Sequence, residues 1–306
     1  MPDMIPVLEA MFRLKATGTT LMPPKIFFHR DGPRFYSSMV SCAPGLGHAG
    51  CKWQSGDPDN VARDLPYIQG LYILSEDTTG RPVAIMDSRW LTGHRTAAAT
   101  AVAAKHLARR GSRTIAILGC GLQGRKNLEV LLHLFPSLTR CQAYDISRER
   151  EDAFVAEAAA RHSIEVVGCR DAETAVRDAD IIVTAGPITE SRRATLRPDW
   201  LAPGSLTVTL DYDSYVTDEA IAAMDLVLTD DRGQIEDARR HEGKFTGVGS
   251  VDAELGELIV SGQGKRVNDA QRILVFNLGI ALEDLATACE IVARARTANV
   301  GTRLPL

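Results

Sequence analysis

The sequence predicts an α/β protein with a doubly wound parallel sheet and a second, α+β domain. From Arg113 onward, short β-branched runs alternate with amphipathic helical patterns, which is typical of a parallel sheet with right-handed crossovers. Before Arg113, strand-like runs follow one another with tight turns between them, which indicates an antiparallel sheet. The 306 residues give room for two domains. We expect residues 112–278 to form the parallel-sheet domain, and residues 1–111 with 279–306 to form the other.

The first third of the chain begins with a helical pattern capped at Asp3. Turns at Asp31-Gly32 and Thr79-Gly80 are typical of hairpins. An alanine-rich helix over about residues 89–109 then ends at Gly111. The predicted strands between the two helices are 25–29, 34–41, 49–54, 68–75 and 82–87.

The remaining two thirds alternate strands with helices. After the last strand, a final helix over about residues 279–298 has an apolar face, and we expect it to return to the first domain. The predicted strands are 114–118, 140–144, 164–167, 180–184, 205–210, 225–228 and 272–276.

Composition excludes several classes of partner. A net charge of −4 and a pI near 6.0 argue against nucleic acid and anionic membrane surfaces. No apolar run reaches the roughly 20 residues that a membrane span needs. The N-terminus lacks the basic and apolar segments of a signal peptide. Six cysteines without a CxxC pair predict free thiols in a reducing compartment, the cytoplasm.

A glycine fingerprint follows the first strand of the parallel domain. The apolar run that ends at Leu118 leads into Gly119, Gly121 and Gly124, and an amphipathic helix follows. These glycines suit a tight turn, close approach of a pyrophosphate and close helix–strand packing, as in a Rossmann dinucleotide site. Backbone N–H groups at the start of the helix, at Leu122 and Gln123, would face the phosphates. The alternative is a glycine turn that binds nothing.

An acid at the end of the second parallel strand sets the expected cofactor. Asp145 lies 21 residues beyond Gly124, where a carboxylate bonds the adenosine ribose and disfavours a 2′-phosphate. Arg148, just downstream, would soften that repulsion, so we predict NAD and leave NADP possible. Thr184 and Ala185 follow another strand and are predicted to contact the cofactor; an ordinary turn is the alternative.

Three cations precede the fingerprint in apolar surroundings. Lys52 stands between Cys51 and Trp53 in a strand, Arg95 lies on a helix with few charges, and Lys25 enters a strand. A buried cation needs a partner, and converging cations would hold a carboxylate. The alternative for each is a surface cation whose stem lies along apolar surface.

Two acids follow a strand of the parallel sheet. Asp211 and Asp213 come directly after the run 205–210, at the sheet edge where ligands of open α/β sheets bind. Such an acid can exchange a proton beside a reacting carbon. The alternative is that either acid caps a helix at 218–224. The sequence carries no metal-binding or nucleophile motif, and the histidines are predicted to be structural.

The chain resembles the ornithine cyclodeaminase/mu-crystallin family, which also contains archaeal-type alanine dehydrogenases and ketimine reductases. The resemblance implies a homodimer formed by the non-Rossmann domain. It implies that Lys52 and Arg95 hold the carboxylate of a small amino or imino acid, with Lys25 assisting. Asp213 matches the family's active-site acid, and Arg95, Thr96 and Asp211 are expected to contact the cofactor. The resemblance rests on the strings GCKWQSGDPDN, ILSEDTTGRPVAIMD, RTAAATAVAAKHLAR, LVLTDDRGQ and VFNLGIALEDLA.

Departures from the family pattern narrow the expected activity. Lys25 stands where the family usually has arginine, and Asn277 replaces a common aspartate. Ornithine-deaminating members carry a glutamate on the strand that corresponds to 35–41, where this chain has neutral Tyr36, Ser37, Ser38 and Met39. We therefore expect NAD(P)-dependent oxidation of an amino acid or reduction of an imine, with Lys52 or Asp213 handling the proton. The alternatives are a cyclodeaminase with catalytic NAD and a non-catalytic binder of a cofactor or small ligand.

Overall fold

The computed structural model describes residues 3–31, 34–189 and 191–305, which pack as two compact units. Of the described residues, 3–5, 96–189 and 191–279 form unit 1, and 6–31, 34–95 and 280–305 form unit 2. The division falls inside the alanine-rich helix, whereas the sequence places a domain boundary at the end of that helix. No helix in the described ranges is long and apolar enough to cross a membrane.

Helices and strands follow the order that the sequence predicts. In the first third they are α1 (Met4–Ala16), β1 (Ile26–His29), β2 (Phe35–Ala43), β3 (His48–Gly56), β4 (Ile68–Glu76), β5 (Pro82–Asp87) and α2 (Ser88–Leu107). The rest comprises β6 (Thr114–Leu118), α3 (Leu122–Leu134), β7 (Arg140–Tyr144), α4 (Arg148–Arg161), β8 (Glu165–Gly168), α5 (Ala172–Val176), β9 (Ile181–Thr184), β10 (Leu206–Thr209), α6 (Asp218–Ala222), β11 (Leu226–Thr229), α7 (Arg232–Glu242), β12 (Ala253–Glu254), α8 (Leu255–Ser261), β13 (Ile273–Phe276) and α9 (Ala281–Ala298).

Unit 2 is built on an antiparallel sheet of five strands in chain order, β1 to β5. The predicted hairpin at Thr79-Gly80 is confirmed, because Gly80 has φ +70° and its N–H donates to Glu76 O at 2.9 Å. The other predicted turn, Asp31-Gly32, falls partly outside the described residues. The final helix, α9, packs on β2, β3 and β4, which confirms that it returns to the first sheet.

The two faces of this sheet differ. The face covered by α9, called the α9 face here, is buried and carries alternate residues of each strand, such as Met39, Lys52 and Tyr72. The opposite face, called the open face, exposes large apolar side chains. They are Ile26, Phe28, Val40, Trp53, Leu71, Ile73 and Ile85.

Unit 1 contains a parallel sheet of eight strands in the order β12-β11-β13-β10-β9-β6-β7-β8. The chain leaves β6 toward one edge through β7 and β8 and returns to β9 on the other side of β6. This reversal is the switch point at which doubly wound sheets bind ligands. The predicted doubly wound α/β fold is therefore confirmed. Sequence patterns missed only short pieces of this sheet and its cover, the two-residue β12 and the helix α8.

Candidate functional site

The glycine fingerprint of unit 1 forms a tight turn between β6 and α3. Gly119 has φ +105°, and a Cβ there would lie 2.6 Å from the backbone of Ala185. A Cβ on Gly124 would lie 2.2 Å from Gly119 O, so both positions require glycine for packing. Gly121 is different, because a Cβ there would meet nothing within 4 Å. Open space at the helix start, where the N–H groups of Leu122 and Gln123 lie in the first turn, suits the approach of a pyrophosphate.

Asp145 is held beside this turn by two backbone donors. Cys120 N–H donates to Oδ2 at 2.8 Å and Ser147 N–H donates to Oδ1 at 2.9 Å. The side chain is half-buried, so its carboxylate is fixed at the end of β7 without being sealed from solvent. This placement is compatible with a bond to a ribose hydroxyl.

Arg148 is engaged by acids of its own helix, α4. Its guanidinium lies 2.6 Å from Glu151 Oε1 and 3.2 Å from Asp152 Oδ1, while the side chain remains 65% exposed. Glu151 is buried and also accepts from Asp145 N–H at 3.2 Å. Two carboxylates therefore bind Arg148, the cation that the sequence predicts to soften the repulsion of a 2′-phosphate.

Thr184, Gly186 and Asp211 connect the ends of β9 and β10. Thr184 Oγ1 donates to Asp211 Oδ1 at 2.7 Å, and Gly186 N–H donates to Oδ2 at 3.0 Å. Asp211 is fully buried, and this burial raises its pKa to about 7. The carboxylate joins two loops at the sheet edge where ligands bind; its contact with the cofactor, like those of Thr184 and Ala185, stays a prediction.

Asp213 is buried with one carboxylate oxygen held by the protein. Phe245 N–H donates to Oδ2 at 2.7 Å, and Arg192 Nε lies 3.2 Å from the same atom. Within the described residues, Oδ1 is buried and has no hydrogen-bond partner. Tyr212, in the left-handed region at φ +59°, turns the chain between the two acids. One oxygen of Asp213 is therefore held by the protein, and the other is buried without a hydrogen bond from any described residue.

Neither acid caps the following helix, so that alternative is wrong. Thr217 is the N-cap of α6, and its side chain accepts a hydrogen bond from Ala220 N–H. Threonine is a favourable N-cap residue, although it ranks below aspartate.

Lys52 and Arg95 of unit 2 share a buried carboxylate. Lys52 Nζ lies 2.8 Å from Asp284 Oδ2, and Arg95 Nε lies 3.0 Å from Asp284 Oδ1. Arg95 Nη1 also donates to Glu283 Oε2 at 2.7 Å. Lys52 is fully buried and Arg95 nearly so, which excludes the alternative that they are surface cations. Burial lowers the pKa of Lys52 to about 8, although Asp284 acts in the opposite direction.

Sequence reasoning missed Glu283 and Asp284. They lie in the first turn of α9, within an otherwise apolar stretch, and both are fully buried. The sequence did carry a signal for them: two adjacent acids lie in the predicted final helix, which is expected to return to the sheet that carries Lys52. Because a buried acid needs a cation, these acids could have been predicted to pair with the buried cations.

The remaining predicted residues lie in different settings. Lys25 is half-buried just before the edge strand β1, and β2 separates that strand from β3, which carries Lys52. Thr96 is buried on α2, and its carbonyl accepts from Thr100 Oγ1 at 3.3 Å.

The four neutral residues of β2 do not all face the cations. Met39 pairs with Lys52 across β2 and β3, and side chains alternate along a strand, so Ser37 and Met39 share the α9 face with Lys52. Tyr36 and Ser38 lie on the open face. Of the four neutral residues that the sequence predicts on this strand, only two therefore lie on the face of Lys52.

In the described part of the chain, no group of three or more His, Cys, Asp or Glu side chains is placed to hold a metal ion. The histidine nearest Arg95 in sequence has a structural contact. His94 Nδ1 lies 2.7 Å from Trp90 O, and its ring stacks on the indole with centroids 3.7 Å apart.

Comparison with known proteins gives full-length matches. A model of the ornithine cyclodeaminase/mu-crystallin family matches residues 1–299. The alanine dehydrogenase of Archaeoglobus fulgidus is 31% identical over 317 residues, covering 99% of this chain and 94% of that protein. A solved archaeal alanine dehydrogenase dimer with bound NAD is 30% identical with a TM-score of 0.87, covering 99% of this chain and 94% of the other.

A second solved structure has a different activity. The Δ1-pyrroline-2-carboxylate reductase of Thermococcus litoralis, in complex with NADH and L-proline, is 25% identical with a TM-score of 0.88. The similarity covers 98% of this chain and 95% of the reductase.

Proposed function

The chain belongs to the ornithine cyclodeaminase/mu-crystallin family, and on that premise we propose that it is an NAD(P)-dependent oxidoreductase acting on a small amino or imino acid. A hydride moves between the nicotinamide and Cα of the substrate. The observation that carries the proposal is the buried pair Lys52 and Arg95, because two cations kept from water at one place are a ready clamp for a carboxylate. The similar alanine dehydrogenase and pyrroline-carboxylate reductase support this substrate class.

The cofactor is held by residues of unit 1. Gly121 and the first turn of α3, with Leu122 and Gln123, bind the pyrophosphate, and Asp145 binds the adenosine ribose. Bound NAD supplies the hydride acceptor, or NADH the donor. NAD is preferred over NADP because an acid at the position of Asp145 disfavours a 2′-phosphate and Arg148 is paired with acids of its own helix. The NAD and NADH in two similar structures support this assignment.

The substrate is held and its proton exchanged by a few side chains. Lys52 and Arg95, assisted by Lys25, bind the carboxylate. An amino acid that gives up a hydride from Cα must also release one proton from nitrogen to become an imine. Lys52, with a pKa of about 8, exchanges a proton near neutral pH, and the unpartnered Oδ1 of Asp213 is the second candidate for this role.

The substrate side chain is uncharged. Ser37 and Met39, which share the α9 face with Lys52, are neutral, and β2 carries no acid that would receive a distal ammonium. Alanine-sized amino acids or cyclic imines fit such a surface, whereas a cyclodeaminase must bind the second amino group of ornithine. A non-catalytic binder of the cofactor would give no net cofactor turnover with any of these substrates.

The open face of unit 2 is the proposed dimer interface. It exposes Phe28, Trp53 and Leu71 among other large apolar side chains, and the Tyr36 ring stacks on those of Phe28 and Trp53. Monomers rarely leave a continuous apolar sheet face in water. The dimeric alanine dehydrogenase supports this arrangement. Sedimentation should give twice the chain mass, and a monomer would contradict the proposal.

The decisive experiment is a panel of small amino acids with NAD or NADP, and of cyclic imines with NADH or NADPH, followed by absorbance. Net cofactor turnover is expected with an uncharged substrate. Lys52→Ala and Arg95→Ala should each lose about 30-fold to several thousand-fold in kcat/KM, since truncating a buried charge partner costs about 2–5 kcal/mol. Cofactor affinity should stay within a few-fold. Normal activity in either variant would contradict the carboxylate clamp.

A further inference from the structure

Four charged side chains form a balanced, buried cluster in unit 2. Lys52 and Arg95 supply two positive charges, and Glu283 and Asp284 supply two negative charges. Glu283 and Asp284 have 1% and 0% side-chain exposure, and Lys52 has none. In this cluster Asp284 has a special place, because each of its two oxygens lies beside a different cation.

We propose that Asp284 is a positioning residue that fixes Lys52 Nζ relative to Arg95 and sets the pH at which Lys52 exchanges its proton. This proposal deepens the proposed function, because it assigns an origin to the proton exchange of Lys52. The geometry is short and rigid: Oδ2 lies 2.8 Å from Lys52 Nζ, and Oδ1 lies 3.0 Å from Arg95 Nε. An aspartate side chain has few torsions, and its backbone is fixed in the first turn of α9. The lysine stem, by contrast, is long and flexible.

The groups facing Lys52 explain why Asp284 controls its charge. From β2 comes the neutral Met39, and from β4 comes the phenol of Tyr72, whose pKa burial raises so that it stays neutral. From α2 come Thr92, with Oγ1 3.4 Å from Nζ, and the cation Arg95. The acids come from α9. Burial and Arg95 lower the pKa of Lys52, and Asp284 is the stronger of the two acids that raise it.

Replacing Asp284 by asparagine keeps its size and removes its charge. The pKa of Lys52 should then fall further, because burial and Arg95 remain while the nearest opposite charge is gone. A single opposite charge at this distance typically moves a pKa by about 1–3 pH units. Glu283→Gln is the matched control, since Glu283 bonds Arg95 and raises the pKa of Lys52 less than Asp284 does.

The test reads Lys52 directly. Protein labelled with 13C at lysine Cε is titrated by NMR, and the Lys52 signal is identified by its loss in Lys52→Met. We expect the midpoint near pH 8 in the parent, at least about one pH unit lower in Asp284→Asn, and between the two in Glu283→Gln. An unchanged midpoint in Asp284→Asn, or an equal shift in both variants, would overturn the proposal.

Kinetics provides the second readout. Whichever limb of the kcat/KM profile reports Lys52 should move to lower pH in Asp284→Asn, and Asp284→Glu should restore part of the activity. The NMR titration needs no turnover, so the two proposals can fail separately. If the parent protein is inactive on the whole substrate panel but the Lys52 midpoint still shifts in Asp284→Asn, the proposed function is refuted and the role of Asp284 stands. Active enzyme with unmoved limb and midpoint would refute only the role of Asp284.

If Asp284→Asn fails to fold, a double variant still tests the proposal. Asp284→Asn leaves a buried cation unbalanced, which is strongly destabilising. Lys52→Met/Asp284→Asn removes both charges and keeps the bond between Arg95 and Glu283. Its thermal unfolding midpoint should lie above that of Asp284→Asn. A double variant no more stable than Asp284→Asn would show that Asp284 does not act through Lys52.

Discussion

The Thr184 hydroxyl donates to the buried carboxylate of Asp211 at 2.7 Å, across the ends of two adjacent parallel strands. Thr184 is the last residue of β9, and Asp211 follows the end of β10 by two residues. Gly186 N–H donates to the other carboxylate oxygen, so one acid fixes two loops at the ligand-binding edge of the sheet. Burial disfavours the ionised form of this carboxylate and raises the pKa of Asp211.

Asp211 should therefore make stability depend on pH. Its pKa in the folded protein, about 7, exceeds the ordinary value of 3.8, so between these values the unfolded chain binds fewer protons and stability falls as pH rises. Asp211→Asn loses one of the two accepted hydrogen bonds at every pH, because an amide nitrogen cannot accept, but it also removes this penalty. We expect it to destabilise more at pH 5 than at pH 8 in urea unfolding. The exposed Asp152→Asn is the control, and an equal loss from Asp211→Asn at both pH values would contradict this account.

A substitution at Gly121 should weaken cofactor binding without destabilising the fold. A Cβ there meets nothing within the chain, and the residue has φ −78°, so Gly121→Ala should keep the parent's unfolding midpoint. The added methyl group would occupy the space proposed for the pyrophosphate, and NAD affinity should fall by about tenfold or more, a loss of about 1.4 kcal/mol. Calorimetric titration with NAD measures this. Gly111→Ala, also in open space, should change neither property; unchanged NAD affinity in Gly121→Ala would mean that the cofactor lies elsewhere.

Much of the fold was predictable because its signals are local. Strand β6 is buried and is followed by three glycines, two of which cannot carry a side chain, so sequence and packing agree at residues 114–124. The two-residue β12 has no period to detect, and its pairing depends on β11, which is distant in sequence.

The candidate site was predicted less completely because it depends on distant pairings. Lys52 and Arg95 stood out as cations in apolar surroundings, but their partner Asp284 lies 189 residues beyond Arg95. No local pattern states which helix covers which strand. For the same reason, the sequence of β2 could not show which of its neutral residues face Lys52, because that face is the one that α9 covers.

Cofactor preference should depend on Asp145 and, through Arg148, on Glu151. Asp145→Ser removes the charge that repels a 2′-phosphate, so we expect the preference for NADH over NADPH to narrow or reverse. Glu151→Gln weakens the hold on Arg148, whose guanidinium lies 2.6 Å from Glu151, and the double variant should bind NADPH more tightly than Asp145→Ser alone. Fluorescence titration with both cofactors measures the ratio. The assignment of Asp145 fails if the parent protein already prefers NADPH.

Ornithine should be a poor substrate. A cyclodeaminase must hold the distal ammonium of ornithine, and holding a cation away from water without an acid is unfavourable. On the α9 face, β2 offers Ser37 and Met39, which are buried and neutral. With L-ornithine and catalytic NAD we expect little or no proline or ammonia, whereas an uncharged imino acid should consume NADH or NADPH stoichiometrically.

Successive side chains of β2 lie on opposite faces of the sheet, so two neighbouring substitutions can test whether the missing acid is what excludes ornithine. Ser37→Glu places an acid on the face that carries Lys52, and Ser38→Glu places the same acid on the open face. If the missing acid is what excludes ornithine, Ser37→Glu should bind L-ornithine measurably, as competitive inhibition of imine reduction or as slow proline formation. Ser38→Glu should bind no more L-ornithine than the parent does, because its carboxylate points away from Lys52. Rapid conversion of ornithine by the parent protein, with no net change in NADH, would show that another acid reaches the distal amine, and the cyclodeaminase alternative would replace the proposed function.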